Sequence, residues 1–90
     1  MSHLVSEKPR LLARVRRLRG QLDAVERALE AEIGCADVLM LVASMRGAIN
    51  GLTAELMDDH LREHVLNAES EADREKGVAE LSEVVRRYLK

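Results

Sequence analysis

Apolar side chains recur along the first third of the chain at Leu11, Val15, Leu18, Leu22, Val25 and Leu29, with spacings of 4, 3, 4, 3 and 4 residues. That alternation is the heptad signature of a helix whose apolar seam packs on another helix. The same spacing returns at Val38, Val42, Met45, Ile49, Leu52 and Leu56. A shorter third run carries Val78, Leu81, Val84 or Val85, and Tyr88. The pattern predicts three helices, over about residues 6–32, 36–66 and 71–89. Ser6 is the expected cap of the first, and Pro9 is tolerable in its first turn, where the missing N–H has no intrahelical partner to lose. Gly34 is expected to close it. A polar break at residues 67–70 separates the last two helices, and Ser70 followed by Asp73 marks the start of the third. No internal repeat or long linker divides the chain, so residues 1–90 read as a single helical domain.

Composition strengthens the all-α assignment. Pro9 is the only proline and Tyr88 the only aromatic residue, and strand formers cluster nowhere except on the helical stripes. Ninety residues lie near the lower limit for burying a sound core alone, which makes self-association the expected remedy. Gly47, Ala48 and Gly51 interrupt the second helix with small side chains that weaken helix propensity but admit a second backbone, as an antiparallel crossing at its midpoint requires. The longest unbroken apolar run, Val38–Ala43, is far short of the roughly 20 residues that span a bilayer. Residues Met1, Ser2 and His3 begin no signal-peptide pattern. The expectation is a cytoplasmic protein with no membrane partner.

The candidate chemistry is concentrated in a few side chains. His60 and His64 are one helical turn apart and share a face. Cys35 is the only cysteine. If residues 35–64 form one helix, Cys35 and His60 are separated by about 37 Å along it and by nearly seven whole turns, so they occupy one stripe at opposite ends. Two such helices packed antiparallel across a two-fold axis bring Cys35 of one copy beside His60 and His64 of the other. Taken separately, Cys35 also reads as a small buried hydrophobe, and the histidines as a solvated pair among Asp58, Asp59, Arg62 and Glu63. Its place at a helix start gives Cys35 a setting that favours a thiolate. One thiolate with several imidazoles suits Ni(II), Co(II) or Zn(II) better than Cu(I), which prefers sulfur-rich sites. His3, or the amine of Ser2 after removal of Met1, could add a further nitrogen.

The chain carries a formal net charge of −2, but residues 1–20 hold Lys8, Arg10, Arg14, Arg16, Arg17 and Arg19 against the single anion Glu7. Arg10, Arg14 and Arg17 share a face at i, i+4 and i+7, flanked by Arg16 and Arg19, and the apolar seam is left intact. Such a face suits a polyanion, although basic helix faces are also often simply solvated. With one aromatic residue, base stacking on single strands is not expected. Helices of more than 20 residues do not match a helix-turn-helix, so duplex DNA would have to meet the broad face of a helical assembly. Phosphate loops, nucleophile elbows, H-E-x-x-H and C-x-x-C are all absent, and no enzyme activity is expected.

Several segments together resemble the CsoR/RcnR/FrmR family of bacterial repressors. They are Arg14-Val-Arg-Arg-Leu-Arg-Gly-Gln21, Cys35 at the head of the second helix, Met45-Arg-Gly-Ala-Ile-Asn-Gly-Leu52, Asp58-Asp-His-Leu-Arg-Glu-His64 and Tyr88-Leu-Lys90. The resemblance implies a dimer built on an antiparallel four-helix bundle, paired into a disc-shaped tetramer. It also implies binding to operator DNA, released when an inducer is sensed, with Arg46 joining Arg14, Arg16, Arg17 and Arg19 at the phosphates. Copper sensors of the family use a Cys-His-Cys set, and here His64 replaces the second sulfur. The nickel/cobalt branch uses an N-terminal His, a Cys and two His, which His3, Cys35, His60 and His64 match. The formaldehyde branch uses the N-terminal amine and the cysteine, here Ser2 and Cys35, although that branch carries proline after Met1. The arginine-rich stretch resembles the formaldehyde branch more closely.

Overall fold

The computed structural model describes residues 7–90. The expected Ser6 cap, Ser2 and His3 lie outside the described residues. Three α-helices follow one another: α1, Lys8–Glu30; α2, Cys35–Leu61; and α3, Glu71–Tyr88. Between α2 and α3 the helix continues as a π turn, Arg62–Leu66. Among the described residues there is no strand. The chain divides into two compact parts, Glu7–Thr53 and Ala54–Lys90.

In the first part, Glu7 stands before α1 without a side-chain cap, but its carboxylate pairs with Arg10 at 2.6 Å. The end of α1 differs from the sequence expectation. Glu32, not Gly34, adopts the left-handed conformation (φ 56°) that reverses the chain. The Ile33 N–H then reaches back to Ala28 O at 3.2 Å and the Glu32 N–H to Leu29 O at 3.1 Å, a Schellman closure normally given to glycine. Gly34 serves the next helix instead: its carbonyl accepts from the N–H groups of Asp37 and Val38 at 3.0 and 3.2 Å.

The heptad seams are only half used within the chain. α1 buries Leu11 and Ala28 and half-buries Val15, Leu18 and Val25, while Leu22 and Leu29 stay exposed. On α2, Val38, Leu41, Met45, Ala48 and Leu52 are half-buried. The neighbouring stripe, Leu39, Val42, Ile49 and Leu56, is open, with Leu39 at 62% exposure. Cys35 and His60 extend this open stripe by their spacing, at its two ends. The expectation drawn from unbroken apolar runs understates α2: Cys35–Leu66 is long and apolar enough to cross a bilayer by length and composition. Polar residues are scattered through it without lowering its average enough to matter.

In the second part, α3 opens as expected. Ser70 is extended, and its Oγ accepts from the Asp73 N–H at 3.1 Å. The π turn was not expected. Asn67 N–H donates to Arg62 O, five residues back, at 2.9 Å, which fits one more residue into the turn than an α-helix holds. Two residues of α3 secure it. Arg74 Nε donates to Val65 O at 3.1 Å, and Gly77 is buried so tightly that a Cβ there would overlap the backbone carbonyl of His64.

Candidate metal centre and nucleic-acid interface

His60 and His64 are brought together where α2 gives way to the π turn. Their ring centroids are 4.8 Å apart, with the planes tilted by 40°. His60 is half-buried, and its Nε2–H donates to the Gly77 carbonyl at 3.0 Å. Glu80 Oε1 lies 3.8 Å from the same nitrogen, on the side of α3 that faces the histidines. Both contacts fall on Nε2, so the neutral ring keeps its proton there and its lone pair on Nδ1. That is the arrangement in which an imidazole presents one nitrogen to a metal while a carbonyl or carboxylate steadies the other. His64 is exposed beside a cleft of about 310 Å³ lined by Glu63, Asp73, Lys76 and Glu80 among others. Nearby, Asp58 accepts from Arg62 Nε at 2.9 Å, and that hydrogen bond, with the charge of Asp58, holds the guanidinium further above its ordinary range.

Cys35 is exposed as the first residue of α2. It belongs to the part Glu7–Thr53, whereas His60 and His64 belong to Ala54–Lys90. Among the described residues, no three His, Cys, Asp or Glu side chains come together to hold a metal. The single chain thus supplies a histidine pair and a separate thiol.

The arginines divide by position. Arg14 and Arg17 line an open cleft of about 460 Å³ together with Arg10, Ala13, Gln21, Ser44 and Ala48. Gln21 Nε2 donates across the cleft to Ser44 Oγ at 3.2 Å. Arg14 is half-buried, and its guanidinium occupies the space over Gly51, where a Cβ would come within 2.9 Å of Nη1. Arg16, Arg19 and Arg46 are exposed and do not line the cleft.

Residues 7–87 match the family model described as a metal-sensitive transcriptional repressor. The chain belongs to the CsoR/RcnR/FrmR family. Over 90 residues it is 38% identical to the transcriptional repressor RcnR of Salmonella paratyphi B, with both chains covered in full. It is 45% identical over 91 residues to an uncharacterised Serratia marcescens protein encoded in the bioA 5′ region, again over the full length of both. Its fold matches a variant of the formaldehyde-responsive regulator FrmR from Salmonella enterica serovar Typhimurium, in which a glutamate is replaced by histidine. That match has a TM-score of 0.85 and 42% identity, over 92% of this chain and 94% of the other. It also matches the nickel-responsive transcriptional regulator InrS, with a TM-score of 0.75 and 31% identity over 89% and 90% of the two chains. The family is one of transcriptional regulators rather than enzymes.

Sequence reasoning missed the partners of His60. Gly77 and Glu80 lie on α3, and no spacing rule connects them to a histidine on another helix. The one available signal was Gly77 itself, a glycine inside a short helix, where it costs about 0.5–1 kcal/mol relative to alanine.

Proposed function

We propose that residues 1–90 act as one module, a cytoplasmic repressor that holds operator DNA in its metal-free form and releases it on binding Ni(II) or Co(II), so that an efflux gene is expressed. The observation that carries this reading is the His60–His64 pair, with the proton of His60 committed to the Gly77 carbonyl and Nδ1 left as a donor. The remaining ligands are Cys35 of a second subunit and His3 of the N-terminal arm. The donor set, one thiolate with imidazoles, fits these borderline ions, and Zn(II) fits the same donors.

The second subunit is called for by the open stripe of α2. Leu39, Val42, Ile49 and Leu56 are exposed in the single chain, and Cys35 and His60 extend that stripe by spacing. Two copies packed antiparallel along it bury the apolar side chains and place each thiol by the other copy's histidines. A homodimer with a four-helix core, paired again into a disc-shaped tetramer, accounts for the exposed apolar residues without a membrane. Arg14, Arg16, Arg17, Arg19 and Arg46 meet the phosphates of duplex DNA, a contact that fixes position and affinity more than sequence choice. Because two ligands act on one conformational equilibrium, DNA weakens inducer binding by the same factor as the inducer weakens DNA binding, typically about 1–3 kcal/mol.

A second reading has its own support in the similarity to the formaldehyde-responsive regulator. Here the exposed Cys35 thiol and the Ser2 amine are bridged by the carbon of formaldehyde as a methylene group, its oxygen leaving as water with one proton from the amine and one from the thiol. One experiment separates the two. Reduced protein is titrated with Ni(II) or Co(II), following thiolate-to-metal charge-transfer absorption, in wild type, His64→Ala and Cys35→Ala. The metal reading expects a stoichiometric band, altered in His64→Ala and lost in Cys35→Ala, with the latter still binding DNA but no longer released by metal. No band in the wild type, together with a retained one-carbon adduct by mass spectrometry after formaldehyde treatment, establishes the second reading.

A further inference from the structure

Gly77 is out of place by every local rule. It sits inside α3, an 18-residue helix, at a position where alanine would stabilise the helix. It is nevertheless the one buried residue of that helix. A Cβ at this position would overlap the His64 carbonyl oxygen and come within 2.8 Å of its carbon and 3.1 Å of the His64 Cβ. Only a residue without a side chain lets the α3 backbone lie directly on the π turn. The same close approach puts the Gly77 carbonyl 3.0 Å from His60 Nε2. One residue therefore touches both histidines: the backbone of His64 by contact and the ring of His60 by hydrogen bond.

We propose that Gly77 is a positioning residue for the inducer site: its lack of a side chain seats α3 against His64 and holds its own carbonyl on His60 Nε2, fixing the ring orientation and leaving Nδ1 as the metal-binding nitrogen. The inference rests on the reading of His60 and His64 as ligands. Arg74, three residues before Gly77 and so on the same face of α3, is bonded to Val65 O in the same π turn and keeps the two segments in register. Adding one methyl at Gly77 separates α3 from the π turn and releases the His60 ring. Loss of a group that orients a ligating histidine typically lowers metal affinity by about 10–100-fold.

The test uses the full chain, metal-free, and nitrogen NMR of the histidine side chains under conditions where the rings are neutral. In wild type the His60 proton is expected on Nε2, protected from solvent exchange and close in space to Gly77. In Gly77→Ala that protection is expected to disappear, the ring to populate both tautomers, and Ni(II) affinity measured by competition with a chelator to fall at least tenfold. A wild-type His60 proton on Nδ1, or an unprotected one remote from Gly77, overturns the proposal even if the variant does not fold. So does a folded Gly77→Ala that keeps both the protection and the affinity. His60→Ala serves as the control for the reading beneath it. If that variant binds Ni(II) as tightly as wild type, the metal site is refuted, whereas the metal-free spectrum still reports whether Gly77 holds the ring.

Discussion

Arg14 and Arg17 share the cleft between α1 and α2 but not the same surroundings. Arg17 is exposed, whereas Arg14 is half-buried with its guanidinium over Gly51. Their common face was legible from i, i+3 spacing alone. The close approach to Gly51 was not, because it depends on where a second helix lies. The difference separates their expected phenotypes. Arg17→Ala should weaken operator binding nearly uniformly across DNA sequences and lower the slope of log affinity against log salt by about one, with inducer affinity unchanged. Fluorescence anisotropy over a salt series measures this, and an unaltered slope removes Arg17 from the phosphate contact. The histidines follow a similar logic. Their one-turn spacing told that they share a face, but the proton on His60 is set by Gly77, a residue 17 positions away.

At the scale of elements, the three helices were readable because each carries an uninterrupted apolar period, and Ser70 capped α3 as its type and spacing implied. Two local features escaped. Glu32 takes the left-handed position that a glycine two residues later was expected to take, and the hydrogen bonds from Glu32 and Ile33 back to Leu29 and Ala28 close the helix there. A non-glycine residue in that conformation costs about 1–2 kcal/mol. Glu32→Gly should therefore raise stability by roughly 1 kcal/mol, seen as a higher urea midpoint at constant slope, and Glu32→Val should lower it by at least as much. A lower midpoint for Glu32→Gly would mean that the Glu32 side chain stabilises the turn. The π turn escaped because five-residue hydrogen bonding has no sequence signature. It persists where tertiary contacts, here Arg74 on Val65 and Gly77 on His64, compensate for its poorer geometry.

For the whole molecule, the decisive property is how little a single chain buries. Leu11 and Ala28 are the only buried apolar side chains among the described residues, while Leu22, Leu29, Leu39, Met40, Val42 and Ile49 are all more than 40% exposed. In the proposed dimer a second copy covers these residues and adds stability, so the melting temperature should rise with protein concentration. Ile49→Glu, in the middle of the open stripe of α2, should shift the protein towards monomer in analytical ultracentrifugation, lower the melting temperature and abolish Ni(II) binding even though Cys35, His60 and His64 remain. An oligomer unaffected by this substitution would place the partner on another face. The sequence by itself determined the helical class, the number of helices, the common face of Arg10, Arg14 and Arg17, that of His60 and His64 and, through a family match over residues 7–87, membership of the metal-sensitive repressors. All of these depend on short-range periodicity or on residue identity along the chain. Only the tertiary structure decided that Glu32 makes the turn, that α2 passes into a π turn, and that Gly77 of α3 closes on both histidines. The closure of Gly77 on the histidines and the support of the π turn by Arg74 arise from contacts between different segments, and the turn at Glu32 is a backbone conformation that its residue type does not favour, so no local pattern records them.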